Sequence, residues 1–242
     1  MMTTWITVAT ADGPMQAYLA EPAGSGPHAG VLVLQEAFGV NRYVRGVADL
    51  LAAAGYIAIA PELFHRSGTH VEVPYDDSGQ AAHVFAAIDN GTIGEDIRAA
   101  VAALRAQPQL DPERIGVVGF CIGGFAAILT GLTTTVASVV AFYPGTLVRA
   151  HPRLKLSPLV DRMPELRAAT LCMFGERDQA ISADDVAAVR AALARSQSRH
   201  EVVVYPDAGH GFHTEDRTAM YTPAAAEQAW DETLAWFART LA

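Results

Sequence analysis

Six consecutive residues, Gly119-Phe120-Cys121-Ile122-Gly123-Gly124, constrain this chain more than any other stretch. The apolar segment Ile115-Gly116-Val117-Val118 leads into them, and the helix-compatible segment Phe125-Ala126-Ala127-Ile128-Leu129-Thr130 leads out. The pattern is strand, sharp turn, helix: a G-x-(nucleophile)-x-G elbow with cysteine in place of the usual serine. Glycines flank such a turn because the nucleophile's backbone is strained and a Cβ two positions away would collide with the strand or the helix. The turn lifts the side chain above the sheet and sets it at a helix N-terminus, where backbone N–H groups favour negative charge. Taken alone, the same letters also describe a tight turn around a buried cysteine, since free Cys often packs as a small hydrophobe. The rest of the chain decides between the two.

With 242 residues, 51% apolar and 18% charged, the chain is long and apolar enough to bury a full sheet between helix layers. It reads as one domain over residues 1–242, and disorder is excluded. The net charge of −9 argues against nucleic acid or an anionic membrane as a partner. No apolar run approaches about 18 residues, and Met1-Met2-Thr3-Thr4 lacks a basic region followed by an apolar core. Neither a membrane span nor a secretion signal is expected. The two cysteines, Cys121 and Cys172, make no disulfide framework. A reducing cytoplasm suits a working thiol, so the expected location is cytoplasmic. The expected assembly is a monomer or small homo-oligomer.

Strand-like runs alternate with helical ones, which predicts βαβ units and a mostly parallel sheet with helices on both faces. Thr4–Ala9 and Met15–Leu19 alternate about Ala11-Asp12-Gly13-Pro14, a hairpin signal. Ala29–Leu34 is a buried-strand run, followed by the loop Gln35–Gly39 and a helix from about Asn41, a plausible N-cap, to Ala54 before Gly55. Tyr56–Ala60 is the next strand, stopped by Pro61, and residues 62–90 read as irregular. A helix over 93–106, the elbow strand and its helix, and a strand over 136–142 follow. Residues 143–165 form a Pro-punctuated excursion. The chain then continues with strand Ala169–Phe174, helix Ala183–Arg195 capped by Ser182, strand Glu201–Tyr205, and a closing helix over 221–241 with a Trp230, Leu234, Phe237 stripe.

Functional groups in open α/β sheets gather at the carboxyl ends of strands. Three loops lie there: the elbow, Phe174-Gly175-Glu176-Arg177-Asp178, and Ala208-Gly209-His210-Gly211-Phe212. The order nucleophile, acid, histidine is that of an α/β-hydrolase. Cys121 would attack an acyl carbon and His210 would take the thiol proton. Asp178 would fix the imidazole tautomer. A free thiol has a pKa of about 8.5, so a neighbouring imidazolium is what would make it reactive near neutrality. Glu176 is a competing acid, ranked second because Asp178 lies deeper in the loop. An oxyanion hole needs two backbone N–H groups, assigned to Ile122 and to Ala37 in the Gln35–Gly39 loop. Phe38, Tyr143 and Phe212 flank this region as a candidate apolar wall, with buried packing as the alternative. His210 and His213 share a His-x-x-His spacing without further clustered ligands, so no metal is expected. Cys172 sits mid-strand and reads as core.

Together, Gln35-Glu36-Ala37-Phe38-Gly39 with Asn41, Ala60-Pro61-Glu62-Leu63, the cysteine elbow, and the loops bearing Asp178 and His210-Gly211-Phe212 resemble dienelactone hydrolase (carboxymethylenebutenolidase) over nearly the whole chain. The resemblance implies a cofactor-free hydrolase with a Cys-Asp-His triad acting on a small activated ester or lactone. It also implies that Glu36 belongs to the catalytic set, holding the resting thiol neutral until substrate shifts the pairing. The sequence departs from the family in one respect. Two arginines that bind a substrate carboxylate are expected, one after the Pro61 strand and one four residues past the histidine. Thr214 occupies the second position, and no arginine lies between Arg66 and Arg98. Arg66, Arg149 and Arg217 are candidate substitutes. A broader carboxylesterase or thioesterase of the same family, and a non-catalytic small-molecule binder that keeps the fold, stand as alternatives.

Overall fold

The structure is a computed structural model that describes residues 1–152 and 154–242. An antiparallel hairpin opens it: β1 (Met2–Thr10) pairs with β2 (Gly13–Glu21), Met2 opposite Glu21 and Thr10 opposite Gly13. Gly13, at φ +116°, closes the turn in a conformation that suits a residue without Cβ. β2 then lies antiparallel to β4 (Ile57–Pro61). The strands β3 (His28–Leu34), β5 (Leu110–Phe120), β6 (Ser138–Phe142), β7 (Ala169–Gly175) and β8 (His200–Tyr205) extend the sheet in parallel. The order is β1-β2-β4-β3-β5-β6-β7-β8. β3, β4 and β6 are almost wholly buried, as parallel strands covered on both faces must be.

The described residues form six α-helices: α1 (Arg42–Ala53), α2 (Ser78–Phe85), α3 (Asn90–Arg105), α4 (Ile122–Thr133), α5 (Ala183–Leu193) and α6 (Pro223–Thr240). Side chains alternate along β5, so Gly116 and Phe120 share one face and Gly119 takes the other. A Cβ on Gly116 would stand 2.9 Å from the Phe237 ring of α6. The Phe120 ring meets Tyr43 of α1 at 5.5 Å between centroids. α1 and α6 therefore cover the same face. Gly119 abuts Gly123 of α4, and α3 packs on α4 across the opposite face. Among the described residues, no helix is long and apolar enough to cross a membrane.

Local signals explain most boundaries. Asn41 caps α1, its Oδ1 accepting from the Val44 N–H at 3.2 Å, and Gly55 at φ +97° ends it. Asp89 and Thr92 form a capping box at α3, and Ser182 and Asp185 another at α5. Three expectations are corrected. Pro61 does not stop β4 but is its last residue, opposite Ala17, where a missing N–H costs little. The stretch read as irregular holds α2, started by the Asp77 carboxylate accepting from Gln80 N–H at 2.8 Å. The stripe of α6 omits its deepest member: Trp236 is fully buried beside Phe237, whereas Trp230 and Leu234 are only half-buried.

Because Phe237 fills the groove that Gly116 leaves on the sheet, Phe237→Ala is expected to destabilise the protein by about 3–5 kcal/mol. The measurement is the shift of the urea unfolding midpoint. A midpoint within error of the parent would show that α6 does not anchor on this contact.

Candidate active site

Cys121 follows the last residue of β5 and precedes α4, with φ 54° and ψ −113°, a conformation that a side chain rarely adopts. Two close backbone approaches hold it there. A Cβ on Gly119 would lie 2.0 Å from the Gly123 carbonyl oxygen. A Cβ on Gly123 would lie 2.2 Å from the Leu34 oxygen and 2.5 Å from that of Gln35. No side chain fits at either position without displacing backbone. The Cys121 N–H is anchored on the Phe142 carbonyl at 3.0 Å.

His210 lies in the loop after β8. Its Nε2 is 3.1 Å from Cys121 Sγ and its Nδ1 is 2.8 Å from Asp178 Oδ2. Asp178, whose side chain is fully buried, accepts on its other oxygen from the N–H groups of Ala180 at 2.8 Å and Ile181 at 3.1 Å. Those bonds fix the carboxylate and leave Oδ2 for the imidazole. Glu176, the competing acid, is exposed and makes no such contact. Burial by itself would push His210 down. The negative charge of Cys121, with hydrogen bonds to Asp178 and to the sulfur, overrides burial and holds the imidazole well above its ordinary pKa.

Glu36 is buried and accepts from the Thr214 hydroxyl at 3.0 Å. Its other oxygen has no hydrogen-bond partner among the described residues. The resemblance implied a pairing with the thiol, but the sulfur is bonded to His210 and Glu36 to Thr214. Burial pushes the Glu36 carboxyl up, against opposing contributions from Arg217, Thr214 and His210. A raised carboxyl keeps its proton more easily and adds less negative charge near His210. Gln35 ties this loop down through its Oε1, which accepts from Leu63 N–H at 3.1 Å.

A cavity of about 450 Å³ opens beside the sulfur, with Cys121, His210, Ala37 and Ile122 along one side. Both residues assigned to the oxyanion hole therefore face the same space as the thiol. The 62–90 and 143–165 stretches both contribute walls: Ala81 and Phe85 of α2 from the first, and Thr146, Arg149, Leu154 and Leu156 from the second. The expected aromatic wall is elsewhere. Tyr143 and Phe212 are fully buried, their rings 5.3 Å apart, and Tyr143 backs onto His210 at 5.1 Å. Phe38 packs edge-on against Tyr75 at 4.5 Å. They sit behind the site because each stacks on a neighbouring ring instead of facing the opening. His213 also diverges from His210. It lies among Phe120, Phe142 and Trp230, with Nδ1 2.6 Å from the Tyr43 hydroxyl, and burial lowers its pKa to about 4. Burial pushes the Cys172 thiol up to about 12, as befits a core position.

The profile of the dienelactone hydrolase family matches residues 15–241. The chain belongs to the dienelactone hydrolase family. A Synechocystis protein named "Putative carboxymethylenebutenolidase" is 32% identical, the match covering 95% of this chain and 94% of that one. A Bradyrhizobium protein named "Probable 2-oxo-3-(5-oxofuran-2-ylidene)propanoate lactonase" is 30% identical over 95% and 91% of the two chains. The crystal structure titled "Putative Dienelactone Hydrolase" from Klebsiella pneumoniae superposes with a TM-score of 0.87 at 31% identity, covering 98% of each chain. This member of the dienelactone hydrolase family is thus a hydrolase with the α/β-hydrolase fold.

If Asp178 and the sulfur together hold the proton on His210, the imidazole stays protonated as pH rises through 6.5. In Asp178→Asn the protonated imidazole loses its carboxylate partner, and its titration midpoint should fall. NMR of histidine-labelled protein reads both midpoints, and equal values would remove Asp178 from this role.

Proposed function

We propose that the protein hydrolyses a small ester or lactone by acyl transfer through Cys121. The supporting observation is the unbroken line from Asp178 through His210 to Cys121, with bonds of 2.8 Å and 3.1 Å. In this reading His210 holds the thiol proton and the thiolate attacks the carbonyl carbon. The N–H groups of Ala37 and Ile122 receive the oxyanion. Collapse of the tetrahedral intermediate breaks the C–O bond. The departing alkoxide takes its proton from His210 Nε2, and a thioester remains on Cys121. Water then gives a proton to His210 and attacks the thioester, and the second collapse releases the acid and restores the thiolate. Asp178 keeps the ring oriented throughout and stabilises its charged form. Esters suit this scheme better than amides, because a thiolate leaves the intermediate more readily than an amine does.

Glu36 enters as a group that tunes the thiol rather than as part of the proton path. A neutral carboxyl at this depth costs little beside the sulfur, whereas an ionised one would raise the energy of the thiolate. A free thiol that must stay reduced also suits a reducing compartment such as the cytoplasm.

The position four residues past His210 favours a second, broader reading, that of a general carboxylesterase or thioesterase. Thr214 there is buried and bonded to Glu36. Arg66 is held by Asp96 through two bonds of 2.6 Å and 3.0 Å, and by Asp12 at 2.7 Å. Neither is available to grip a substrate carboxylate.

Cys121→Ala is expected to abolish turnover of p-nitrophenyl acetate, and mass spectrometry of quenched wild-type enzyme to find the acyl group on Cys121. Unchanged turnover would overturn the assignment. Glu36→Gln should move the pH dependence of Cys121 alkylation by iodoacetamide, and superimposable profiles would take Glu36 out of the scheme.

A further inference from the structure

The walls of the cavity beside Cys121 are carbon. Ala81 and Phe85 stand one turn apart on α2, Phe125 comes from the first turn of α4, and Leu154 and Leu156 close the far side. Among the described lining residues, Arg149 carries the one fixed positive charge, and it is already engaged. Its guanidinium donates to Ser182 Oγ at 2.7 Å and pairs with the Asp185 carboxylate. His151 also lines the cavity and is exposed. His210 is committed to Asp178 and the sulfur. Arg217, the remaining candidate, does not line the cavity. It lies over the Phe38 ring at 5.0 Å from the centroid and over Tyr75 at 5.8 Å.

A substrate arm entering this space would leave water for a mostly apolar surface, whose one guanidinium is turned to Ser182 and Asp185 with its side chain largely in solvent. An ionised carboxylate there would lose its hydration without gaining a partner, whereas an alkyl or aryl arm loses nothing by the same move. We propose that the cavity binds an uncharged, apolar arm of the ester, so that the protein selects neutral alkyl or aryl esters over substrates bearing a terminal carboxylate. This rests on the reading of Cys121 as nucleophile and adds to it the class of group that the site accepts.

The test compares kcat/KM along two homologous series: p-nitrophenyl acetate, butanoate and hexanoate lengthen the acyl arm, and ethyl, butyl and hexyl acetate lengthen the alcohol arm. The arm that enters the cavity should raise kcat/KM by about fourfold per methylene, the equivalent of ~0.8 kcal/mol for each CH₂ buried. A terminal carboxylate on that arm, as in mono-p-nitrophenyl adipate or 6-acetoxyhexanoate, should lower kcat/KM at least tenfold against the neutral ester of equal length. Ala82→Arg, at an exposed position on the rim of α2, should raise the charged-to-neutral ratio tenfold or more. Flat profiles in both series, or a carboxylate-bearing ester turned over as fast as its neutral counterpart, would overturn the proposal. Cys121→Ala run in parallel separates the two levels. Turnover that survives that substitution sinks the nucleophile and the inference with it. Turnover that needs Cys121 yet prefers the charged arm sinks the inference alone.

Discussion

Everything at this site depends on how closely two pieces of backbone approach each other at two glycines. At Gly123 the first turn of α4 lies against the carbonyls of Leu34 and Gln35, so close that a Cβ would stand 2.2 Å from the first. This contact joins the cysteine elbow to the Gln35–Gly39 loop. At Gly175 a Cβ would stand 2.3 Å from the Ala208 carbonyl. That contact, with Arg177 N–H donating to Ala208 at 2.8 Å, joins the acid loop to the histidine loop. The site is therefore two rigid halves, one carrying sulfur and oxyanion loop, the other carboxylate and imidazole. The Cys121–His210 hydrogen bond joins them, and the Thr214–Glu36 bond joins them a second time. In the proposed reaction, positioning of this kind would let a weak thiol work without reorganising its surroundings at each turnover.

Electrostatics then separates residues that the sequence makes look alike. His210 and His213 are three positions apart, yet one is held above its ordinary pKa and the other lowered to about 4. Burial acts on both in the same direction. Only His210 has a carboxylate and a sulfur to reverse it, whereas His213 meets aromatic rings and a neutral tyrosine hydroxyl. A shared spacing along the chain says little about shared chemistry when the backbone turns between them, and Gly211 at φ +75° lies in that turn.

The elbow, the strand order of the three loops and the choice of Asp178 over Glu176 were legible because each leaves a local mark: flanking glycines, strand-end position, depth in the loop. Asp178 is buried and doubly bonded by N–H groups where Glu176 is exposed. The walls were not legible. An aromatic residue beside a motif reads the same whether it faces the opening or the core, and Tyr143 and Phe212 take the core. The true walls are alanines, leucines and Phe85, residues that mark nothing in a sequence. α2 escaped for a related reason. Its eight residues, SGQAAHVF, carry too few apolar positions for a helical period to show, and its start depends on the single cap at Asp77.

The departure at position 214 links these points. A threonine there is short enough to be buried and to give its hydroxyl to Glu36, so the loop past His210 closes over the acid instead of reaching toward substrate. Arg217, three residues on, lowers the proton affinity of Glu36 while its guanidinium rests on Phe38 and Tyr75. The Arg217 guanidinium thus rests on the protein's own aromatic faces and does not line the cavity. A pocket lined mostly by apolar side chains would recognise substrate by shape and apolar area. Specificity in such a pocket grows in small steps, methylene by methylene, rather than in the large step that a guanidinium–carboxylate pair supplies.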